Sequence, residues 1–291
     1  MTLIFDNILA RGKQRTILFL FALLFILAPQ VCAQSQQMDY EVILEKAHKA
    51  TSLNNLVEAE SLFRQVLRDY PQDYRNSLVL GNLGRVQEMM GKDMEAMDSY
   101  TSALKLSPQS VPLLEARAAL YLRLGNLSKA VADYTTIIDR EPVNLQALSY
   151  RAYAHSKQRN YVEAKLDYDR VLKIDPRNYT AQLGMVSLCR EIGRASEALT
   201  RLDLLVGQYP DKAEIYGLRA ELHKAEGHLE LALMDLDKAV ELEPDNADLV
   251  LARAYLHLEQ GNKFYARRDF EKAVSLGVPR SSLKEELRRV R

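Results

Sequence analysis

The chain has no tryptophan and only two cysteines, Cys32 and Cys189. That excludes a disulfide-stapled fold and any site built on paired cysteines. Net charge is missing too, since 39 basic residues balance 39 acidic ones. A protein that neutralises phosphates needs a cationic excess, so nucleic acid is not an expected partner. The sequence also carries no glycine-rich phosphate loop, no Gly-x-Ser-x-Gly elbow and no His-Glu-x-x-His pair. The motifs of phosphoryl transfer, serine hydrolysis and zinc proteolysis are therefore absent, and we expect no enzyme, cofactor, metal or small-molecule substrate.

There is one long apolar run, Ile17 to Ala28, and it is too short for the ~20 residues that cross a bilayer. Arg11, Lys13 and Arg15 precede it, and Val31-Cys32-Ala33 follows as a small-residue cleavage site. Residues 1–33 therefore read as a signal peptide, which implies an exported, periplasmic or envelope-associated protein in a bacterial cell. Two alternatives stay open: lipidation at Cys32, which Pro29, Gln30 and Val31 suit poorly, and an uncleaved anchor. Cleavage after Ala33 leaves Cys189 as the one thiol, so stability must come from packing.

What the chain does have is self-similarity. The stretch Val111 to Asn144 holds two apolar patterns of helical period, broken at Gly125 and Pro142, and so reads as helix, turn, helix, turn. It recurs every 34 residues. Numbered from Val111, position 20 is Ala59, Ala96, Ala130, Ala164, Ala198, Ala232 and Ala266. Position 24 is always large, Phe63, Tyr100, Tyr134, Tyr168, Leu202, Leu236 and Phe270, and position 8 is always small. Proline stands at position 32, from Pro71 to Pro244, and arrives one step late as Pro279 in the last copy.

On these positions the sequence resembles the tetratricopeptide repeat family, whose unit is also 34 residues with a small residue at 8, Ala at 20, an aromatic at 24 and Pro at 32. The resemblance runs from Tyr40 to Arg280 as seven units: 40–73, 77–110, 111–144, 145–178, 179–212, 213–246 and 247–280. It implies an all-α, right-handed α-solenoid of stacked antiparallel helix pairs. Residues 34–39 read as a flexible lead, and 281–291 as a capping helix that starts on a Ser and buries Leu283, Leu287 and Val290. The turn glycine is replaced by Asn54 in unit one and by Arg159, followed by Asn160, in unit four. The three inserted residues Tyr74 to Asn76 should loosen the first joint.

A second pattern lies within the repeats. Position 7 is Arg117, Arg151, Arg219 and Arg253, and in those same units position 23 is Asp133, Asp167, Asp235 and Asp269, an expected set of interhelix ion pairs. Position 11 gathers His155, Cys189, His223 and His257. Equivalent positions should lie roughly 10 Å apart, the helix packing distance, against ~2.0 to 2.3 Å for zinc ligands, so these read as packing residues.

What remains is a surface. The family resemblance implies a concave face of first helices that grips a peptide or partner helix. Its positions 2, 5, 9, 12 and 13 give Arg85, Glu88, Met89, Glu115, Arg123, Tyr153, Lys157, Arg190, Glu214, Glu221, Lys224, Asp248, Tyr255 and Glu259. Glu214, Glu221, Asp248 and Glu259 against Lys224 alone suggest an acidic end for a basic segment, with Tyr153 and Tyr255 as aromatic anchors. The carboxylate clamp of the family's co-chaperones is incomplete: Asn82 is present, but Leu44 and His48 occupy its other positions. The expected function is a non-enzymatic protein-interaction scaffold of the envelope with a protein or peptide partner. The alternatives are a self-assembling structural solenoid, which the charged capping helix opposes, and an accessory lipoprotein of an assembly or secretion complex.

Overall fold

The computed structural model describes residues 39–290. The expected signal peptide, Cys32 and most of the expected lead lie outside the described residues, as does Arg291. Among the described residues there is no strand, and no helix is long and apolar enough to cross a membrane. Fifteen helices follow one another. They are α1 (39–52), α2 (Leu56–Asp69), α3 (Asn76–Met89), α4 (Asp93–Leu106), α5 (Val111–Arg123), α6 (Leu127–Arg140), α7 (Leu145–Lys157), α8 (Tyr161–Ile174), α9 (Tyr179–Glu191), α10 (Ala195–Gln208), α11 (Ala213–Ala225), α12 (Leu229–Leu242), α13 (Ala247–Glu259), α14 (Lys263–Ser275) and, after a 3-10 turn at Arg280–Leu283, α15 (Lys284–Arg289). They form two compact units, up to Ile137 and from Ile138 onward.

In each unit the odd and even helices pair through the small residues. All seven position-20 alanines are fully buried. A methyl is all that fits where two helix axes approach this closely, and anything longer would force the pair apart. The large residue one turn later reaches the next pair. Leu202 of α10 clusters with Ile215 and Leu222 of α11, and Leu236 of α12 with Leu256 of α13. In α3, a methyl built on Gly84 would stand 2.7 Å from the Tyr100 ring, so the ring occupies the space a side chain would need.

Local signals set the helix ends. Asn144, Asn178 and Asn246, each two residues after a corner proline, accept hydrogen bonds from the backbone N–H groups of Ala147, Ala181 and Leu249 at 2.9, 3.1 and 3.3 Å. These caps satisfy first-turn donors that would otherwise be orphaned. Gly125 ends α5 at φ +74°, and the same left-handed turn is held by Asn54 at +59° and Arg159 at +64°. In the fourth copy it is Arg159, not the neighbouring Asn160, that carries the positive φ.

Two expectations need correction. The inserted Tyr74–Asn76 does not loosen its joint. Asn76 already begins α3, is 4 % exposed and donates to the Tyr70 carbonyl at 2.8 Å. Arg75 lies 3.7 Å over the Tyr40 ring and bonds Asp73 at 2.7 Å and Glu41. An insertion rich in hydrogen-bond donors is stitched down. At the other end, 281–291 is not one Ser-capped helix. Pro279 directs the chain into the 3-10 turn, the Ser282 hydroxyl donates back to the Pro279 carbonyl at 2.7 Å, and no side chain caps α15. The apolar stripe outweighs the cap: Leu283 and Val290 are buried, with Leu287 packed beside them, against Ala254, Ala266 and Phe270.

Unit one also buries a charge. Glu60 is 8 % exposed and accepts from Lys92 at 2.7 Å and Arg64 at 2.9 Å. Burial by itself would raise its pKa, but the bonds from Lys92 and Arg64 outweigh this and hold it down to about 2. A carboxyl that titrates near 4.5 unfolded and near 2 folded contributes stability above pH 4.5, and loses it as the pH falls toward 2. Glu60→Gln is therefore expected to be less stable at neutral pH by on the order of 2 kcal/mol, with the difference vanishing toward pH 2 in pH-resolved urea unfolding. Arg159→Gly should act oppositely. Relief of a left-handed Arg, ~1 to 2 kcal/mol, exceeds the entropy cost of glycine, so thermal unfolding should show a gain of about 0.5 to 1 kcal/mol.

Candidate interaction surface

The four Arg–Asp pairs all close with two-point geometry. Arg117 donates to both oxygens of Asp133 at 2.8 Å, Arg151 to those of Asp167 at 2.7 and 2.8 Å, Arg219 to Asp235 at 2.9 and 2.6 Å, and Arg253 to Asp269 at 2.7 and 3.0 Å. The acceptors are between 2 and 6 % exposed. Three of the guanidiniums have a further partner. Arg219 also donates to Asp203 and Arg253 to Asp237, at 2.8 and 2.9 Å, while Arg117 reaches Thr101 at 3.4 Å. These partners stand at position 25 of the preceding copy, so one arginine ties three helices. The sequence signal was the polar residue at 25 ahead of every Arg-bearing copy. These residues are consumed in holding helices together.

The position-11 residues lie beside these clamps. His223 Nε2 is 3.9 Å from Asp235, and His257 stacks on Tyr265 with ring centroids 5.3 Å apart. Burial pushes the pKa values of His155 and His257 down. Cys189 is free and buried, and its thiol pKa is raised by the same cause. Among the described residues no three His, Cys, Asp or Glu gather closely enough to hold a metal.

The face residues are mostly exposed, but their charges are largely spent on one another. In the first unit, Arg123 donates to Glu88 at 2.7 Å and to Asp93 at 2.8 Å, and Glu88 also accepts from Tyr100 at 2.6 Å. Arg85 and Met89 are exposed, and Glu115 is half-buried. In the second unit Arg190 donates to Glu221 at 3.0 Å, Lys224 lies 2.9 Å from Glu259, and Tyr179 donates to Glu214 at 3.0 Å. The acidic end anticipated from the sequence is thus half neutralised: Glu221 and Glu259 are ion-paired, whereas Glu214 is held only by a phenol and, like Asp248, has no ion pair among the described residues. Exposed pairs of this kind contribute little stability, but they weaken the field that would draw in a basic segment.

Tyr153 is placed differently. It is 44 % exposed and borders a pocket of about 240 Å³ between α7 and α9, floored by Tyr168 of α8 and lined also by Tyr150, Leu183, Gly184 and Ser187. Gly184 is essential to the opening: a methyl there would come within 2.3 Å of the Tyr168 ring. Burial, then the charge of Glu191, push the Tyr168 pKa up, so the phenol stays neutral. At the rim, Lys157 sits 5.4 Å over the Tyr153 ring and 3.5 Å from Glu191, which accepts from Ser156 at 2.8 Å. Tyr153 and Lys157 are thus brought together. Tyr255, packed edge-on against Phe270 at 5.2 Å, belongs to the C-terminal end and not to this pocket. Sequence reasoning missed Tyr150 and Gly184, although a glycine in the interior of a helix was the available signal.

Stacked helix pairs with an exposed first-helix face and a half-open aromatic pocket define a helical-repeat interaction protein. Family models described as tetratricopeptide repeat match residues 115–179, 156–222 and 213–246. Among solved structures, a tetratricopeptide repeat protein from Parabacteroides merdae ATCC 43184 is 32 % identical, with 86 % of this chain and 98 % of that one covered and a TM-score of 0.71. PilW, a type IV pilus biogenesis factor, is 20 % identical over 66 % of this chain and 90 % of its own, with a TM-score of 0.57. YrrB, a tetratricopeptide repeat protein with an unusual peptide-binding site, is 16 % identical over 69 % of this chain and 97 % of its own, with a TM-score of 0.50. These last two share the fold alone. No curated protein matches. The chain belongs to the tetratricopeptide repeat family, whose fold is a scaffold for protein–protein interaction.

Removing one member of a clamp strands the other in the interior. Asp167→Ala should lower the unfolding free energy by about 3 kcal/mol, and Arg151→Leu/Asp167→Leu together should recover most of it, because no buried charge is left uncompensated. Urea unfolding of the three proteins checks this; a loss below ~1 kcal/mol in the single variant would mean that the pair is already screened by water.

Proposed function

We propose that this protein is an exported, non-enzymatic scaffold of the cell envelope, built of seven repeats from Tyr40 to Arg280, that holds a peptide or helix of a partner protein across its first-helix face. The observation that carries the reading is the Tyr153 pocket. It is lined from first-helix positions 2, 5, 6, 9, 12 and 13 together with Tyr168 at position 24 of α8, and its aromatic walls suit one apolar or aromatic side chain. Lys157 and Glu191 at the rim offer a donor and an acceptor to the flanking peptide backbone, while the partly neutralised remainder of the face leaves apolar anchoring in charge of affinity. The peptide-binding site of YrrB is a precedent on the same fold. Export rests on the basic, apolar and small-residue order of residues 1–33.

A photo-crosslinking amino acid placed at Tyr153 in the native host should yield a discrete adduct with another protein, whereas the same probe at Leu166, 60 % exposed on α8, should not. In those cells the protein should fractionate with the envelope and begin at Gln34. Equal labelling from both positions would remove the groove reading, and adducts consisting solely of this chain would favour self-assembly.

A further inference from the structure

We propose a second binding site, for an acidic segment of a protein partner, at the C-terminal end of the chain. A cavity of about 400 Å³ opens between α14 and the turn and helix that follow it, lined by Arg267, Glu271, Arg280, Lys284, Leu287 and Arg288. Four cations face one carboxylate there, in a chain whose 39 basic and 39 acidic residues balance overall. The site already seats a carboxylate: Arg280 donates to both oxygens of Glu271 at 2.7 and 2.8 Å, and this bond holds the Glu271 pKa below the usual range. Arg288 is paired with Glu285 at 2.9 Å. Arg267 and Lys284 have no ion pair among the described residues.

Lys284 and Arg267, the latter offset only by the field of the Glu271 carboxylate that Arg280 already holds, focus potential into a concave, partly walled space, and a guanidinium beside an ammonium matches the oxygens of an incoming carboxylate. Leu287 supplies an apolar wall for the methylenes of a glutamate. Because the cations converge in a cavity instead of spreading over a plane, a compact acid side chain fits better than a lipid surface. The fork already formed on Glu271 makes carboxylate the chemistry of choice. The site is separate from the Tyr153 pocket, so either can fail without the other.

Binding of a fluorescein-labelled hexaglutamate peptide to the full chain, read by anisotropy at low ionic strength, tests the site. Arg267→Gln/Lys284→Gln should weaken binding roughly tenfold or more, while Lys105→Gln/Lys173→Gln, which removes two exposed cations elsewhere, should not. Glu271→Gln frees Arg280 and should tighten binding several-fold, a gain that misfolding cannot mimic. The proposal is overturned if the peptide does not bind, if both double variants weaken it equally, or if anionic phospholipid vesicles or inorganic phosphate bind with the same variant dependence and displace the peptide.

Discussion

The constraint on which everything else depends is the width of one methyl group. At seven places two antiparallel helices approach until only an alanine fits between them, and each of those alanines is sealed from water. Close approach orients the remaining side chains. With the backbones that near, a large side chain at position 24 fills the space beside the crossing: Tyr100 lies against Gly84 of its own pair, while Tyr168 and Leu202 reach the next joint. The same geometry explains why glycine appears where such a ring lies flat against a neighbouring helix, as at Gly84 and Gly184.

Onto this apolar frame the chain adds a polar device of narrow tolerance. A guanidinium with two bonds to a buried aspartate and a third to the preceding second helix links three helices through fixed angles. Hydrophobic contact alone would permit sliding by a turn, whereas a forked pair permits one register. The cost is desolvation of both charges, which is acceptable only where every donor is used. Two copies without the arginine use other means: Gln87 of α3 with Ser99 of α4 in the second, and Cys189 of α9 against the Glu197–Arg201 pair within α10 in the fifth.

The first-helix face follows a similar economy. Its charges join from one copy to the next, Glu88 to Arg123, Lys157 to Glu191, Arg190 to Glu221 and Lys224 to Glu259, so neighbouring copies spend them on each other. What this leaves for recognition is shape and aromatic area around Tyr153, and at the far end a pocket of arginines and lysine that the ladder does not reach.

The sequence by itself determined the helical class, the phase of every helix pair, the buried alanines and the partnership of Arg117, Arg151, Arg219 and Arg253 with their aspartates. All of these are set by spacing, and a period of 34 leaves little freedom in which residue meets which. It misjudged what spacing does not encode. Whether Glu214, Glu221 and Glu259 remain free depends on side chains of adjacent copies converging in space. Whether Tyr74–Asn76 is slack depends on the acceptors that surround it, and where the final helix begins depends on a proline competing with a buried leucine. The Tyr153 pocket and the C-terminal cationic pocket are likewise products of tertiary structure, because a cavity belongs to no single segment; it exists only once three helices have stopped at the distance their smallest residues allow.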